Sequence, residues 1–140
     1  MSVPYGKAGA WDMQKTINVA VYRRFKPDGI DQEASHALMK AYYEKFIGSR
    51  PDWQFAGYYS DEGSGKAGLQ KLLQDCETGQ IGMVVTKSLS RFAENMADGL
   101  RIIRQLKNLK PPVGIYFECE NLNTLDDWAD KWLLQWMMIF

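Results

Sequence analysis

The sequence predicts an α/β domain: a mostly parallel sheet with helices on both faces. Three observations carry that expectation. Short apolar runs rich in β-branched residues alternate with longer amphipathic segments. The connections between them are short, which favours strand–helix–strand units packed in layers. The chain has 140 residues, with no internal repeat, low-complexity segment or composition break to divide it, and that length supports one domain with a substantial core.

Taken in order, Met1–Lys15 carries Pro4, Gly6 and Gly9 without a sustained period, so residues 1–16 read as an arm. Ile17–Arg23 is a near-continuous apolar run suited to a buried strand. After the turn signal Pro27-Asp28-Gly29, a helix is expected from Asp31, with Ala34, Leu38, Tyr42 and Phe46 inward and Gly48 and Pro51 stopping it. Trp53–Tyr59 alternates like a second strand, and Asp61–Gly68 is a glycine-rich loop. Leu69–Cys76 reads as a short helix with Leu69, Leu72 and Leu73 inward, and Gly82–Thr86 as a third strand. One long helix is expected over Ser90–Lys107, with Phe92, Met96, Leu100, Ile103 and Leu106 on its apolar side. Pro111-Pro112 breaks it, Val113–Glu118 makes a fourth strand, and Asn121–Asp126 is polar turn material. The domain proper is expected over residues 17–126, and residues 127–140 start a C-terminal helix. In that last segment Trp128, Trp132, Trp136 and Ile139 recur at near-helical spacing, with Leu133, Met137 and Phe140 widening the apolar face. Such a helix must be covered, either by its own sheet or by a partner chain.

Composition excludes several classes. Seventeen basic and seventeen acidic residues balance, so no global field points to nucleic acid or membrane, and a DNA role would need a local patch or another domain. The lone His36 leaves no histidine cluster for a metal or for a Ser-His-Asp triad, and no metal or cofactor is expected. Cys76 and Cys119 lack metal-ligand spacing and read as buried, reduced thiols. No apolar stretch approaches the roughly 20 residues needed to span a bilayer, and no signal-peptide h-region is visible, so a cytoplasmic protein is expected. Gly63-Ser64-Gly65-Lys66 departs from a phosphate-binding P-loop, because Ser60 holds the first glycine position and Ala67 follows the lysine. Asp61, Glu62, Glu118 and Glu120 read as solvated acids rather than a glycosidase pair.

The stretch with the most chemistry is Lys87-Ser88-Leu89-Ser90-Arg91-Phe92-Ala93-Glu94-Asn95. A strand delivers a basic, hydroxyl-rich turn to a helix start, where orphan N–H groups and the helix dipole favour an anion such as phosphate. Lys87, Arg101 and Arg104, with Lys107, are candidate DNA-backbone contacts, against the plainer reading of a solvated helix face.

These residues resemble the signature of the serine site-specific recombinases, the resolvase, invertase and large integrase family. Within it, the large serine recombinases of mobile elements are most similar. The resemblance is carried further by Val19-Ala20-Val21-Tyr22-Arg23-Arg24, by Trp53–Gly63, by Ile102–Lys107 and by Phe117–Asp126. It implies a three-layer resolvase-like fold with four or five mostly parallel strands and a C-terminal dimerisation helix leading away. Trp128, Trp132, Trp136 and Ile139 are then dimer-interface candidates. It implies DNA as substrate, assembly as a homodimer or with another recombinase, and a following DNA-binding domain. The family's serine attacks a DNA phosphodiester, and arginines stabilise the charge on the phosphate, with no metal.

Carried over by position, the resemblance finds this site altered. Arg24 and Arg91 stand at retained arginine positions, with Tyr22 and Ser90 beside them. The nucleophilic serine position holds Lys26, and a second catalytic arginine position holds Glu94, a charge reversal. The family loop after Asp61-Glu62-Gly63 is shortened to Ser64–Gly68 and lacks its arginine, with Lys66 a doubtful substitute. The expectation is therefore a catalytically inactive recombinase-like domain kept for assembly or regulation. Two alternatives stay open: an active subunit using a non-standard nucleophile or a partner's serine, and an α/β domain binding an anion or nucleotide at Arg24 and Arg91. A lysine nucleophile would have to be neutral.

Overall fold

The computed structural model describes residues 16–25, 32–93 and 95–139; the side chains of residues 32–35, 90, 91 and 136–139 lie outside that description. The arm before Thr16, and positions 26 and 94, are likewise outside it. Ten elements follow: β1 (Ile17–Phe25), α1 (Gln32–Gly48), β2 (Trp53–Glu62), α2 (Ala67–Glu77), β3 (Met83–Thr86), α3 (Leu89–Phe92), α4 (Met96–Lys107), β4 (Gly114–Phe117), β5 (Leu122–Asn123) and α5 (Ala129–Ile139).

The strands form one sheet in the order β2-β1-β3-β4-β5. The first four are parallel, and β5 closes the edge antiparallel to β4. Alternation along the strands splits the core in two. Ala20, Tyr22, Val84, Ile115 and Phe117 point to one face and pack under α2, α3, α4 and α5. Val19, Val21, Met83 and Val85 point to the other and meet Tyr43 and Ile47 of α1. The predicted α/β layering, with helices on both faces, is the observed one. Among the described residues no helix is long and apolar enough to cross a membrane.

Several local expectations are corrected. On α1 the inward stripe is Met39, Tyr43, Phe46 and Ile47. Leu38 is 68% exposed and Tyr42 48%. This helix is apolar on two adjacent stripes, so periodicity alone does not say which one meets the sheet. The long helix over Ser90–Lys107 is two helices. Ala93 and Asn95 are extended, and the Asn95 side chain accepts from the Asp98 N–H at 2.9 Å, so an N-cap starts α4 afresh. The polar turn Asn121–Asp126 contains β5, in which Leu122 is buried opposite Phe117. Trp128 precedes α5 instead of lying on it. Cys76 is buried as expected, but Cys119 is exposed. The glycine-rich loop is shorter than predicted, because β2 runs on through Glu62 and α2 begins at Ala67.

The C-terminal segment folds back on its own domain at its first turns. Ala129 and Leu133 are buried in the larger core, Trp132 packs against it half-buried, and Leu134 is 54% exposed.

Candidate functional site

The C-terminal ends of the parallel strands gather the candidate residues. Tyr22, near the end of β1, is fully buried, with its ring edge-on to Phe92 of α3 at 6.0 Å. Its hydroxyl donates to Asp61 Oδ2 at 2.7 Å. Burial, and then this bond to a carboxylate, raise the Tyr22 pKa far above its ordinary value. It therefore stays a neutral donor.

Asp61 was expected to be a solvated acid and is instead the hub. It is buried, and besides Tyr22 it accepts from the Gly68 N–H (2.7 Å) and the Leu69 N–H (2.8 Å). Those are orphan donors in the first turn of α2, which its negative charge also suits. Gly68 makes this approach possible: a Cβ there would lie 2.2 Å from the Ser60 carbonyl oxygen. The sequence signal was the Asp61–Gly68 spacing, legible only once a helix start at Ala67 is known.

Arg24, on the next outward position of β1 and in register with Asp61, lies over the Tyr22 ring at 5.8 Å. Its Nη1 donates to the carbonyls of Gly63 (2.7 Å) and Gly65 (2.8 Å). The Gly63–Lys66 stretch is thus a clasp on Arg24, and Gly63 takes positive φ to present its carbonyl. Arg24 Nε is buried without a hydrogen-bond partner among the described residues. Beside it lies a cleft of about 40 Å³ lined by Arg24, Lys66 and Arg101, with Leu69, Ala93, Asp98 and Ile102. No lining residue carries a hydroxyl or thiol. The space suits water or one small inorganic ion, not a nucleotide.

The signature turn is held from the β4 side. Cys119 N donates to the Lys87 carbonyl at 2.8 Å and Glu118 N to that of Thr86 at 2.9 Å. The Glu120 carboxylate accepts from Leu89 N at 3.2 Å, the first N–H of α3. Glu120 thus supplies a carboxylate at this helix start. Glu118 is not a free solvated acid either, since the hydroxyls of Tyr42 and Tyr43 both donate to it, at 2.5 and 2.7 Å. Ser88 is buried at the α3 N-cap, and Lys87 is exposed.

The predicted residues are only partly brought together. Tyr22 and Arg24 share one cluster with Asp61, and Ser90 and Arg91 occupy the middle of α3 with their side chains outside the description. Lys26 and Glu94 lie outside the described residues. Arg101 belongs to the Arg24 cleft and pairs with Asp98 at 3.2 Å, holding that carboxyl below its usual range. Arg104 lines a different depression of about 420 Å³ between α4 and α5, where Lys107 pairs with Asp130 at 2.8 Å. Arg101 and Arg104 are both exposed, each on the rim of a different depression. Trp128 and Trp132 stand on the C-terminal side, and the side chains of Trp136 and Ile139 are not described.

The family model described as the N-terminal domain of resolvase matches residues 19–140. Among solved structures the fold is similar to the N-terminal catalytic domain of TP901-1 integrase, with TM-score 0.64 and 21% identity over 87% of this chain and 92% of that one. It is similar to a resolvase family site-specific recombinase from Streptococcus pneumoniae, with TM-score 0.63 and 21% identity over 87% of each chain. A third likeness is to the C-terminal catalytic domain of ISC1926 TnpA, an IS607-like serine recombinase, with TM-score 0.60 and 17% identity over 73% of this chain and 69% of that one. No curated protein matches the sequence.

Proposed function

Because the chain belongs to the resolvase N-terminal domain family of serine recombinases, we propose that it is a recombinase-type domain that no longer cleaves DNA and serves assembly or regulation with a recombinase. The observation that carries this reading is Lys26 at the family's nucleophile position. Without a serine hydroxyl the phosphoseryl intermediate has no atom to form on. The surroundings agree. Glu94 replaces an arginine meant to face phosphate charge, and a carboxylate there opposes the developing charge it should stabilise. Arg24 remains, but Gly63 and Gly65 of the shortened loop already hold its Nη1. The scaffold itself stays well built: Tyr22, Asp61 and the start of α2 form one satisfied network.

The assembly half rests on the C-terminal segment, where Trp128 and Leu134 are exposed beside a helix that also carries Trp136 and Ile139. In this reading they pack on a second copy or on an active relative, in the cytoplasm of a bacterial or phage-infected cell, and DNA contact runs through Lys87, Arg101 and Arg104 or a further domain. Sedimentation velocity of the chain alone and mixed with an active serine recombinase tests this. A dimer or mixed complex is expected, and a strict monomer that ignores the recombinase overturns the assembly reading.

One observation favours a second reading, a residual anion site. Arg24 Nε is buried and unpaired beside Lys66 and Arg101 among the described residues. Calorimetric titration with sulfate or phosphate detects such a site, and no heat at millimolar anion disposes of it.

A further inference from the structure

The outward stripe of α1 runs into an aromatic shelf that the site above does not use. From the exposed Leu38 and Tyr42 it meets, at the edge of the inward stripe, the half-buried Phe46, whose ring stacks on Tyr42 at 6.3 Å and on Tyr116 at 6.4 Å. Trp53 closes the third side, 6.2 Å from Phe46 and 6.4 Å from Tyr116. Arg50 lies over these rings, its guanidinium carbon 4.2 Å from the Trp53 centroid, 5.8 Å from Phe46 and 5.9 Å from Tyr116. Arg50 is exposed, and no acceptor among the described residues takes its side-chain N–H groups. Three rings surround the guanidinium, so its freedom is already reduced before any partner arrives. Arginine, tryptophan and tyrosine clustered this way are the residues that dominate interface energies.

The chain also carries the complement. Leu125 is 39% exposed, Trp128 48%, and Asp126 and Asp127 between them are exposed. This loop is preset: Asn123 Oδ1 accepts from Leu125 N at 3.0 Å, Asp126 N donates to the Asn123 carbonyl at 3.0 Å, and Ala129 N to that of Asp126 at 3.1 Å. Leu125 lies against Gly114, where a Cβ would be 2.8 Å from its Cγ. Gly114 and Tyr116 share a sheet face by strand alternation, so the loop and the shelf flank the same face. One is cationic and aromatic, the other acidic and apolar.

We propose that the two are halves of one self-complementary interface, in which the Leu125–Trp128 loop of a second copy of this chain seats on the Arg50 shelf. A carboxylate of the Asp126–Asp127 pair accepts from the guanidinium fork, and Leu125 and Trp128 cover the Tyr42–Leu38 stripe. Two-fold symmetry then makes the contact twice. The interface shares Trp128 with the assembly contacts proposed above, but it seats that residue on the Arg50 side of the second copy and needs neither Leu134 nor the rest of α5.

Sedimentation across a concentration series, on the full chain, tests it with Arg50→Asp, with Asp126→Arg/Asp127→Arg, and with all three changes in one chain. The altered side chains are all exposed, and circular dichroism checks that each variant folds. Each partial variant is expected to weaken self-association by about tenfold or more, while the triple variant, or a 1:1 mixture of the partial ones, regains most of it. Self-association unchanged in both partial variants overturns the proposal and leaves the α5 contacts as the interface. Loss in both without recovery in mixture or triple variant also overturns it, because the two surfaces then act in self-association without meeting each other. A chain monomeric at every concentration overturns it as well.

Discussion

Helices α1 and α4 cover opposite faces of one sheet, and they differ in how many of their sides are apolar. On α4 the apolar residues Leu100, Ile102, Ile103 and Leu106 are all buried, and the exposed positions include Arg101, Arg104 and Asn108 just beyond its end. On α1, Tyr43 and Ile47 are buried, yet Leu38 and Tyr42, one position behind Met39 and Tyr43, are exposed. A helix with one stripe has one way to sit. A helix with two has a spare surface, and here that surface leads to Arg50 and its rings.

The comparison is broken most directly by truncating one residue from each stripe. Ile47→Ala should cost about 2–5 kcal/mol in urea unfolding, as for other buried aliphatic truncations, while Leu38→Ala should stay within about 0.5 kcal/mol. A cost above about 1 kcal/mol at Leu38 would mean that the outward stripe is covered in the monomer.

The next largest effect is expected at Asp61. Asp61→Ala leaves the Tyr22 hydroxyl and the N–H groups of Gly68 and Leu69 without their acceptor, and a loss of about 2–3 kcal/mol follows from orphaning buried donors. Asn95→Ala should cost about 1 kcal/mol through the lost cap of α4. If Asn95→Ala is neutral, the break between α3 and α4 has another cause.

The smallest effect is on pH. Hydrogen bonds from Tyr59 and then Lys71 hold the Asp75 carboxyl below its ordinary range. The stability this adds is present above the ordinary carboxylate pKa and is lost as pH falls through the lowered folded value. Lys71 is exposed, so solvent screens its share. Tyr22, Tyr43 and Tyr59 are shifted the opposite way, chiefly by burial. They stay neutral in the fold while the unfolded chain ionises near pH 10, so stability should fall above that pH. Thermal melts between about pH 3 and 11 should show decline at both ends, and Asp75→Asn should soften the acid limb alone. Burial, with the neighbouring acids Asp75 and Glu77, also pushes the Cys76 thiol up to about 12.

Much of the fold was legible because strands and the α4 face obey simple periods. Gly82–Thr86 and Val113–Glu118 contain β3 and β4, whereas Ile17–Arg23 and Trp53–Tyr59 start with β1 and β2 but stop short of their ends at Phe25 and Glu62, where pairing, not pattern, decides the limit. What was not legible depended on competition between local and long-range bonds. Asn95 could sit mid-helix or cap, and only its bond to Asp98 decides. Asp61 looks solvated until the start of α2 is placed beside it. Leu122 and Asn123 have no strand pattern of their own, and β4 recruits them. Of the site, Tyr22 and Arg24 were legible through a family resemblance, whereas the Gly63 and Gly65 clasp involves backbone carbonyls that no side-chain pattern reports.

The central claim is that a recombinase scaffold persists here without strand cleavage. The most direct measurement is to incubate this chain with supercoiled or nicked site DNA, together with an active serine recombinase of different mass, and to trap covalent protein–DNA adducts under denaturing conditions. The account predicts adducts on the active recombinase only. A DNA adduct on this chain, whatever residue carries it, contradicts the account.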